Sequence, residues 1–541
     1  CTTAFSQTKG GISTANGSLD ITRGSPMAKA TKKQLAINMI ANVVAFCVQF
    51  GVNFFLTPYI VKQLGSEAYG FVTLSFNIAG FAGIITAAFD SMVARFVLME
   101  DANGNDDTAA KYFNSALIVD TVLAVVLSVP FGLIVIFASD LLSIPVRLIA
   151  DVQLAFAFAF LGTLINLVFA SFGCTYYVKN RFDLEARRNI EGNIIRAIVL
   201  ITLFVMLPAK IYFITGTVMI VIIYNCAANL YYKHKLMPEI PITPRNFRFA
   251  SVKKLLSSGI WNSVNSLSTT LLNTLDILIT NLFLGAAFSG IYALVKTVPN
   301  FLNQLIAILV KVFVPNINIL YAQGKKDELL REVLFSVRIM GFLVTVPIGF
   351  LMVFGESFYE AWVPTQDNHL LQSLSLLTLF PLIASGIISV IVNVYITTNK
   401  LRIPALVLLG VGITNLTLVI IFLKFTDLGI WTVPIVGMIT QLAYYVGFQP
   451  IYAARCLNLP WYTFYKTIGL GAMCTITMVA AGSLYRTVFD VHGWIPMIIA
   501  GVICSIVAMT VNMFIVFNKR ERRSLLSKIP FLHIHHAEHS A

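Results

Sequence analysis

Fourteen stretches of this 541-residue chain are each apolar and long enough to cross a bilayer. Apolar residues make up 57% of the chain and charged residues only 12%, whereas a soluble domain has roughly 25% charged residues. A hydrocarbon core of ~30 Å needs about 20 residues of helix. The sequence therefore predicts an all-α polytopic membrane protein with about 14 transmembrane helices. The predicted spans are roughly 35–57, 69–97, 112–138, 150–178, 190–207, 211–231, 256–284, 288–320, 330–354, 370–397, 403–423, 428–454, 462–485 and 494–517.

The positions of the basic residues predict how these helices are oriented. If the first span begins in the cytoplasm, 30 of the 38 Lys and Arg lie at cytoplasmic positions, 5 lie outside and 3 lie within spans. Cytoplasmic loops carry the excess of Lys and Arg in membrane proteins, so both termini are predicted to be cytoplasmic. The net charge of +13 is then a consequence of topology, with some attraction to anionic membrane lipids. Nucleic acid is not an expected partner.

A shift of 220 residues aligns the first span with the seventh. The segments LGSEAYG and LGAAFSG then fall on one another, and Gly70 falls on Gly290. Six spans separate the two copies, so both have the same orientation, which is the pattern of parallel transporter repeats. The expected division is an N-terminal tail (1–33), a six-helix lobe (34–232), a basic cytoplasmic linker (233–255), a second six-helix lobe (256–455), two additional spans (456–518) and a cytoplasmic tail (519–541).

Polar residues recur at helical spacing inside three spans, and each set lies on one helix face. The candidates are Asn42 and Asn53 in span 1, Asn262 and Asn273 in span 7, and Asn300 and Gln304 in span 8. Amides facing lipid would lose their hydrogen bonds, so these faces must point to protein or water. Hydrogen bonding between helices explains any single Asn. Three full sets, with matched amides in the two repeat copies, together favour a central water-filled cavity that binds substrate.

Charged residues within spans are costly and are functional candidates by default. Lys296 and Lys311 lie 15 residues apart on nearly one face, hence about 22 Å apart along the helix. They could bind an anionic head group at two depths, or each could extend to its nearer interface. Asp276 could pair with Lys296, bind a coupling cation or balance charge.

Four further charged residues fall in what the sequence predicts to be the cytoplasmic third of the first lobe: Asp90, Arg95, Asp120 and Arg196. They could form an ion-pair cluster that gates the cytoplasmic side, or a structural network. No Gly-rich phosphate loop, no nucleophile–base grouping and no metal-ligand spacing among the seven cysteines is present. We therefore expect no enzymatic activity, no bound metal and no cofactor.

Several segments resemble polysaccharide-precursor flippases of the Wzx type, which belong to the multidrug/oligosaccharidyl-lipid/polysaccharide exporter superfamily. The similar segments are QLAINMIANVVAFCVQFGVNFFLTPYIVKQLGSEAYGFVTL, VFVPNINILYAQGKKDEL and the stretch from VNVYITTNK to WTVPIVGMI. The resemblance covers about residues 33–518. It implies two six-helix lobes around a central cavity in a bacterial inner membrane. It also implies flipping of undecaprenyl-diphosphate-linked oligosaccharide to the outer leaflet by alternating access, with Lys296 and Lys311 supplying the cationic character of the cavity.

The resemblance also implies partners and leaves alternatives. A coupling cation (H⁺ or Na⁺) and a polysaccharide polymerase could act with the protein, and O-antigen or capsule glycans are the expected products. The alternatives are a lipid-linked peptidoglycan precursor flippase, a cation-coupled multidrug exporter of the same superfamily, and a membrane polysaccharide polymerase or ligase. The short outer loops argue against the last, because they leave no room for a catalytic domain.

Overall fold

The computed structural model describes residues 26–398 and 400–526, and these residues form helices and connecting loops without a strand. Fourteen helices are long and apolar enough to cross a membrane, which confirms the predicted fold class and the predicted number of spans. Spans 1 to 14 are Ala36–Leu64, Ser66–Ala102, Asp106–Ile136, Val146–Val178, Phe182–Met206, Ile211–Leu236, Phe249–Leu284, Ala286–Ala322, Lys326–Trp362, Asn368–Thr397, Arg402–Phe425, Gly429–Cys456, Tyr465–Val488 and Trp494–Val516.

Six spans consist of more than one helical segment. Span 2 is Ser66–Ala79 and Phe81–Ala102, span 7 is Phe249–Asn273 and Leu275–Leu284, and span 8 is Ala286–Lys311 and Val314–Ala322. Spans 4, 10 and 12 contain short 3₁₀ or π segments at Val146–Leu148, Ala170–Gly173, Ser389–Ile391, Gly429–Trp431 and Ala443–Phe448. The remaining helical pieces are the start of the first helix at Pro26, and the short helices Ala138–Leu141, Pro244–Asn246 and Lys519–Leu526.

For description, spans 1–6 are called the first lobe and spans 7–12 the second lobe. The linker end is the end of the bundle that carries residues 233–254, and the far end is the opposite one. Within the first lobe, span 1 packs on span 5 and span 4 packs on spans 3 and 6. Within the second lobe, span 7 packs on span 11 and span 9 packs on span 10. Span 9 also packs on span 13, so the two additional spans cover the second lobe.

The lobes meet where span 2 packs on spans 7 and 8, and the two glycines of the aligned segments lie where it crosses span 8. A Cβ built on Gly70 would lie 2.8 Å from the Cα of Gly290, and a Cβ on Gly290 would lie 2.3 Å from the carbonyl oxygen of Ser66. Both distances are shorter than the 3.5–4.0 Å at which heavy atoms pack best. Glycine is therefore required at both positions, because only a backbone without a side chain permits this approach.

At the far end an apolar core joins the lobes, since buried residues of spans 1, 2, 4 and 6 pack with buried residues of spans 7, 8, 11 and 12. Polar contacts cross the same end, where the amide N–H of Ser143 donates to Asn281 at 3.1 Å. Spans 1 and 8 touch midway, with the rings of Phe50 and Phe301 5.0 Å apart. On the linker side of that contact Asn42 and Gln304 are exposed, so spans 1 and 8 separate there.

Candidate functional site

A polar cavity of about 360 Å³ lies in the far half of the second lobe, between spans 7, 8, 10 and 12. Its polar lining comes mainly from spans 7 and 8: Thr269, Asn273, Asp276, Lys296, Asn300 and Asn303. A second cavity of about 540 Å³ adjoins it towards the linker end, where Asn262, Asn265 and Trp261 line the wall. Since the cavities share Asn273 and Asn303, they form one polar region along the inner faces of spans 7 and 8.

The charged centre of the smaller cavity is an ion pair. The ammonium Nζ of Lys296 lies 2.6 Å from Oδ2 of Asp276, and the two side chains are 12% and 6% exposed. The hydroxyl of Tyr292 donates to the same carboxylate oxygen at 3.3 Å, and Lys296 lies over the Tyr292 ring at 5.6 Å. The contact with Lys296 is one of the three possibilities that the sequence leaves open for Asp276.

Local geometry explains why these side chains meet. Span 7 is interrupted at Thr274, so Asp276 sits in the first turn of the segment Leu275–Leu284. A carboxylate is favourable there because the helix N-terminus carries partial positive charge. The chain then turns at Gly285, whose φ of 89° is in the left-handed region, where glycine carries no steric penalty. Span 8 returns antiparallel beside span 7 and brings Tyr292 and Lys296, one turn apart, to face Asp276.

Span 8 separates this polar region from an apolar groove. The groove has a volume of about 710 Å³ and lies between spans 1, 8, 9 and 14. Span 8 contributes Val298, Phe301 and Leu302 to the groove, whereas Lys296, Asn300 and Asn303 line the polar cavities. The remaining wall is largely aromatic, from Phe50, Phe54, Phe350, Phe358, Trp362 and Trp494. A polar site and an apolar site therefore lie on two faces of one helix.

The first lobe has a single arginine near its middle. Nη1 of Arg196 donates to Oδ1 of Asn53 at 2.8 Å, and Tyr69 lies close enough to interact with it electrostatically. The sequence predicts Arg196 in the cytoplasmic third of the first lobe, on a span that begins near residue 190. Span 5 begins at Phe182, not near residue 190, and this places Arg196 14 residues, or about 21 Å, from its linker end.

The predicted ion-pair cluster of Asp90, Arg95, Asp120 and Arg196 is also not formed. No ion pair joins any two of them within residues 26–398 and 400–526. Arg95 and Asp90 are exposed, and Asp90 is hydrogen-bonded by Thr86. Asp120 is fully buried, and its Oδ2 accepts a hydrogen bond from Ser171 at 2.5 Å while Oδ1 has no partner. Asp90 lies close enough to Asp120 to repel it electrostatically, so these two residues are neighbours of like charge and not an ion pair.

The other candidates are distributed along the cleft between the lobes. Lys311 is exposed at the end of the first segment of span 8 and acts electrostatically on Glu185, at the start of span 5. Asn42 is exposed and its amide donates to the carbonyl of Asn38 at 2.8 Å, while Asn273 accepts from Gln441 at 3.4 Å. The polar faces of spans 1 and 7 thus combine hydrogen bonds within the protein with exposed polar groups.

Comparison with known proteins identifies the family. A model of the family described as polysaccharide biosynthesis protein matches residues 35–319, more than half of the chain. The chain belongs to the polysaccharide biosynthesis protein family. A full-length relative is the uncharacterized membrane protein EpsK of Bacillus subtilis, which is 25% identical over 495 residues, covering 92% of this chain and 98% of EpsK.

Solved transporters share the fold of this polysaccharide biosynthesis protein. The lipid II flippase MurJ in an inward closed conformation matches with a TM-score of 0.62 and 12% identity, covering 91% of this chain and 100% of MurJ. An inward-facing multidrug resistance transporter of the MATE family matches with a TM-score of 0.54 and 16% identity, covering 78% and 98%. The fold that the resemblance implied is therefore shared with solved transporters, and the protein is a multi-pass membrane protein of the polysaccharide biosynthesis family.

Some residues of the site in this family member were not predicted from the sequence. Tyr292 and Gln441 complete the polar region of the second lobe, and neither carries a sequence signal beyond a polar group in an apolar span. The apolar groove did have a signal. Phe46, Phe50 and Phe54 recur every four residues and stack along span 1, next to the Asn stripe on the same helix.

Proposed function

We propose that the protein flips undecaprenyl-diphosphate-linked oligosaccharide repeat units from the cytoplasmic to the outer leaflet of a bacterial inner membrane, by alternating access of its two lobes. The observation that carries the proposal is the division of span 8 into a groove-lining face and a cavity-lining face. A substrate that has both a large polar head and a long hydrocarbon tail matches this division. Transport of a small drug would need only one of the two sites.

The polar region suits an oligosaccharide because its lining is rich in amides. Asn262, Asn273, Asn300 and Asn303 each carry a donor group and an acceptor group, and these can replace water around sugar hydroxyls. The exposed Asn42 and Gln304 extend the same chemistry towards the linker end. Lys311, also exposed, would attract the diphosphate of an arriving substrate at the mouth of the cleft.

The groove suits a prenyl chain because its lining is almost wholly apolar and aromatic. Transfer of apolar surface from one apolar environment to another costs little, so the tail can slide along the groove while the head crosses inside the protein. Membrane lipids would fill the groove between transport events. We also propose that transport is coupled to H⁺ or Na⁺. The flipped product would then be delivered to a polymerase of O-antigen or capsule.

The proposed direction depends on orientation. The distribution of 30 basic residues against 5 supports cytoplasmic termini and a cytoplasmic linker. Reporter fusions at residue 245 and residue 362 test this orientation. We expect a cytoplasmic reporter to be active at 245 and a periplasmic reporter at 362, and the reverse pattern would contradict the proposed topology.

A second candidate is flipping of a lipid-linked peptidoglycan precursor, which the fold similarity over 91% of this chain to a lipid II flippase favours. The two candidates differ in the glycan and share the carrier lipid. Each precursor, offered separately to reconstituted protein, distinguishes them. Faster flipping of lipid II than of lipid-linked oligosaccharide would favour the second candidate.

Two matched variants in span 14 test the function itself. Ser505 lines the groove, whereas the next residue, Ile506, is 61% exposed on the outer surface. We expect Ser505→Trp to fill the groove and Ile506→Trp to leave it open. The assay is protection of lipid-linked oligosaccharide from an impermeant periodate reagent in proteoliposomes. We expect Ser505→Trp to lower the flipping rate at least about tenfold, which corresponds to 1.4 kcal/mol in the barrier, while Ile506→Trp flips normally. Equal rates in both variants would contradict the role of the groove.

A further inference from the structure

Arg196 is a cation inside the membrane-spanning region without an acidic partner. In the described part of the chain it forms no ion pair, and Asn53 accepts from one of its five N–H donors. Its Nε is buried and has no hydrogen-bond partner. A buried donor that lacks an acceptor is costly, and a charge in an apolar surrounding is more so. Such a group is expected where an acceptor is supplied from outside the chain.

The two lysines of span 8 are less suited than Arg196 to binding an anion. Lys296 is held by Asp276 at 2.6 Å and packs against Tyr292, so an anion would have to displace a carboxylate that is already in place. Lys311 is exposed at the mouth of the cleft, where water and salt weaken its attraction. Arg196 combines a position near the middle of span 5 with an unmatched charge.

The position of Arg196 links the polar region to the apolar groove. Its partner Asn53 precedes Phe54, which lines the groove, so span 1 presents an amide to Arg196 and a ring to the groove. The neighbouring Tyr69 is hydrogen-bonded to Thr297 of span 8 at 3.1 Å. Thr297 follows Lys296 in the chain. Arg196 is therefore at the junction of the lobes, between the places assigned to the head and the tail of the substrate.

We propose that Arg196 is the anchor for the diphosphate of the translocated lipid, with its Nε and remaining Nη donors binding phosphate oxygens. This inference rests on the proposed function and adds the residue that recognises the anionic group. The planar guanidinium matches two phosphate oxygens at once, which an ammonium cannot do. The bond to Asn53 holds the guanidinium in place, so less side-chain entropy is lost when the anion binds.

The first experiment measures binding without transport. Full-length protein in detergent is titrated with inorganic pyrophosphate while thermal unfolding is followed, because a ligand of the native state raises the melting temperature. Sodium sulfate at equal ionic strength is the control. We expect pyrophosphate to stabilise the wild type more than sulfate does. Arg196→Gln should weaken the apparent affinity at least about tenfold, Arg196→Lys should weaken it less, and Arg95→Gln, which removes an exposed arginine, should change it little.

A second measurement does not depend on how well a variant folds. Phenylglyoxal modifies accessible guanidinium groups, and mass spectrometry of the wild-type protein locates the modified arginines. We expect pyrophosphate to protect Arg196 and to leave the exposed Arg95 unprotected. Unchanged pyrophosphate affinity in Arg196→Gln, equal stabilisation by sulfate, or absence of protection at Arg196 would each overturn the assignment.

The two proposals can fail separately. Protection of Arg196 by pyrophosphate without any flipping of lipid-linked oligosaccharide would leave the anion site standing and refute the proposed function. Flipping at the wild-type rate by Arg196→Gln with wild-type pyrophosphate affinity would refute the anchor and leave the function standing.

Discussion

Neutralising one partner of the Asp276–Lys296 pair should destabilise the protein more than neutralising both. The pair is 2.6 Å apart and almost buried. Coulomb attraction at that distance is about 6 kcal/mol for an effective dielectric constant near 20, and desolvation of the two ions offsets most of it. The pair therefore contributes little net stability as a unit, but a charge left without its partner is costly.

The contacts of the pair indicate how much stability each single variant should lose. Asp276→Asn leaves the ammonium of Lys296 buried against the Tyr292 ring, and Lys296→Gln leaves the carboxylate with only the Tyr292 hydroxyl. Loss of one partner of a buried ion pair typically costs about 3–5 kcal/mol. The double variant Asp276→Asn, Lys296→Gln has two neutral amide groups that can hydrogen-bond to one another, and we expect it to lie within about 1 kcal/mol of wild type.

The assay is thermal unfolding of the four proteins in one detergent, at equal abundance and pH. We expect both single variants to melt several degrees lower and the double variant to melt near the wild type. Additive losses in the double variant would refute the reasoning, because they would mean that the residues act independently. Wild-type melting of both single variants would show that water or lipid screens the pair.

Three further predictions concern the lobe contact, the first lobe and the linker. Gly70→Ala should weaken the contact between the lobes, because the added Cβ would lie 2.8 Å from the Cα of Gly290. We expect it to lower both the melting temperature and the flipping rate. Gly132 has open space around it, so Gly132→Ala should change neither. Asp120→Asn should melt at or above the wild-type temperature, since a buried carboxyl with one unpaired oxygen gains nothing from being charged; clear destabilisation would contradict this. Partial burial alone would raise the pKa of Glu239, but the hydrogen bond and charge of Lys179 hold that pKa below its ordinary value of 4.5. The contribution of Glu239 is then present above about pH 4.5 and is lost as the pH falls further, so a spin label in the linker should become more mobile below pH 4 and should show no such change in the Glu239→Gln variant.

Much of the fold follows from the sequence because the bilayer admits few solutions. Apolar length predicts each span, and polar spacing predicts which face of spans 1, 7 and 8 meets protein or water. The start of span 5 was predicted wrongly for a physical reason. The charged run from Asp183 to Arg188 is typical of a loop, yet it forms the first turns of span 5. Three of these side chains are matched by partners: Asp183 by Arg181 and Gln34, and Arg187 and Arg188 by Glu191.

Pairing between spans could not be predicted in the same way. Helical spacing places Asp276 and Lys296 on known faces of their helices, but their contact depends on the break at Thr274 and on the turn at Gly285. In the first lobe the sequence suggested ion pairs that the structure does not contain among the described residues. Asp90, Asp120 and Arg196 suggest an ion-pair cluster by their number and sign, but Asp90 and Asp120 lie near one another while Arg196 bonds to Asn53 of span 1.

The two lobes share the backbone contact at Gly70 and Gly290 but differ in the group that pairs with the cation of each lobe. The second lobe matches its buried cation with its own carboxylate. The first lobe leaves its half-buried cation, Arg196, matched only by an amide. Because Tyr69 and Thr297 connect the two centres, an anion that binds Arg196 would lie near the Lys296 helix and would lower the cost of separating Lys296 from Asp276. Anion binding in one lobe would then favour rearrangement in the other, as alternating access requires.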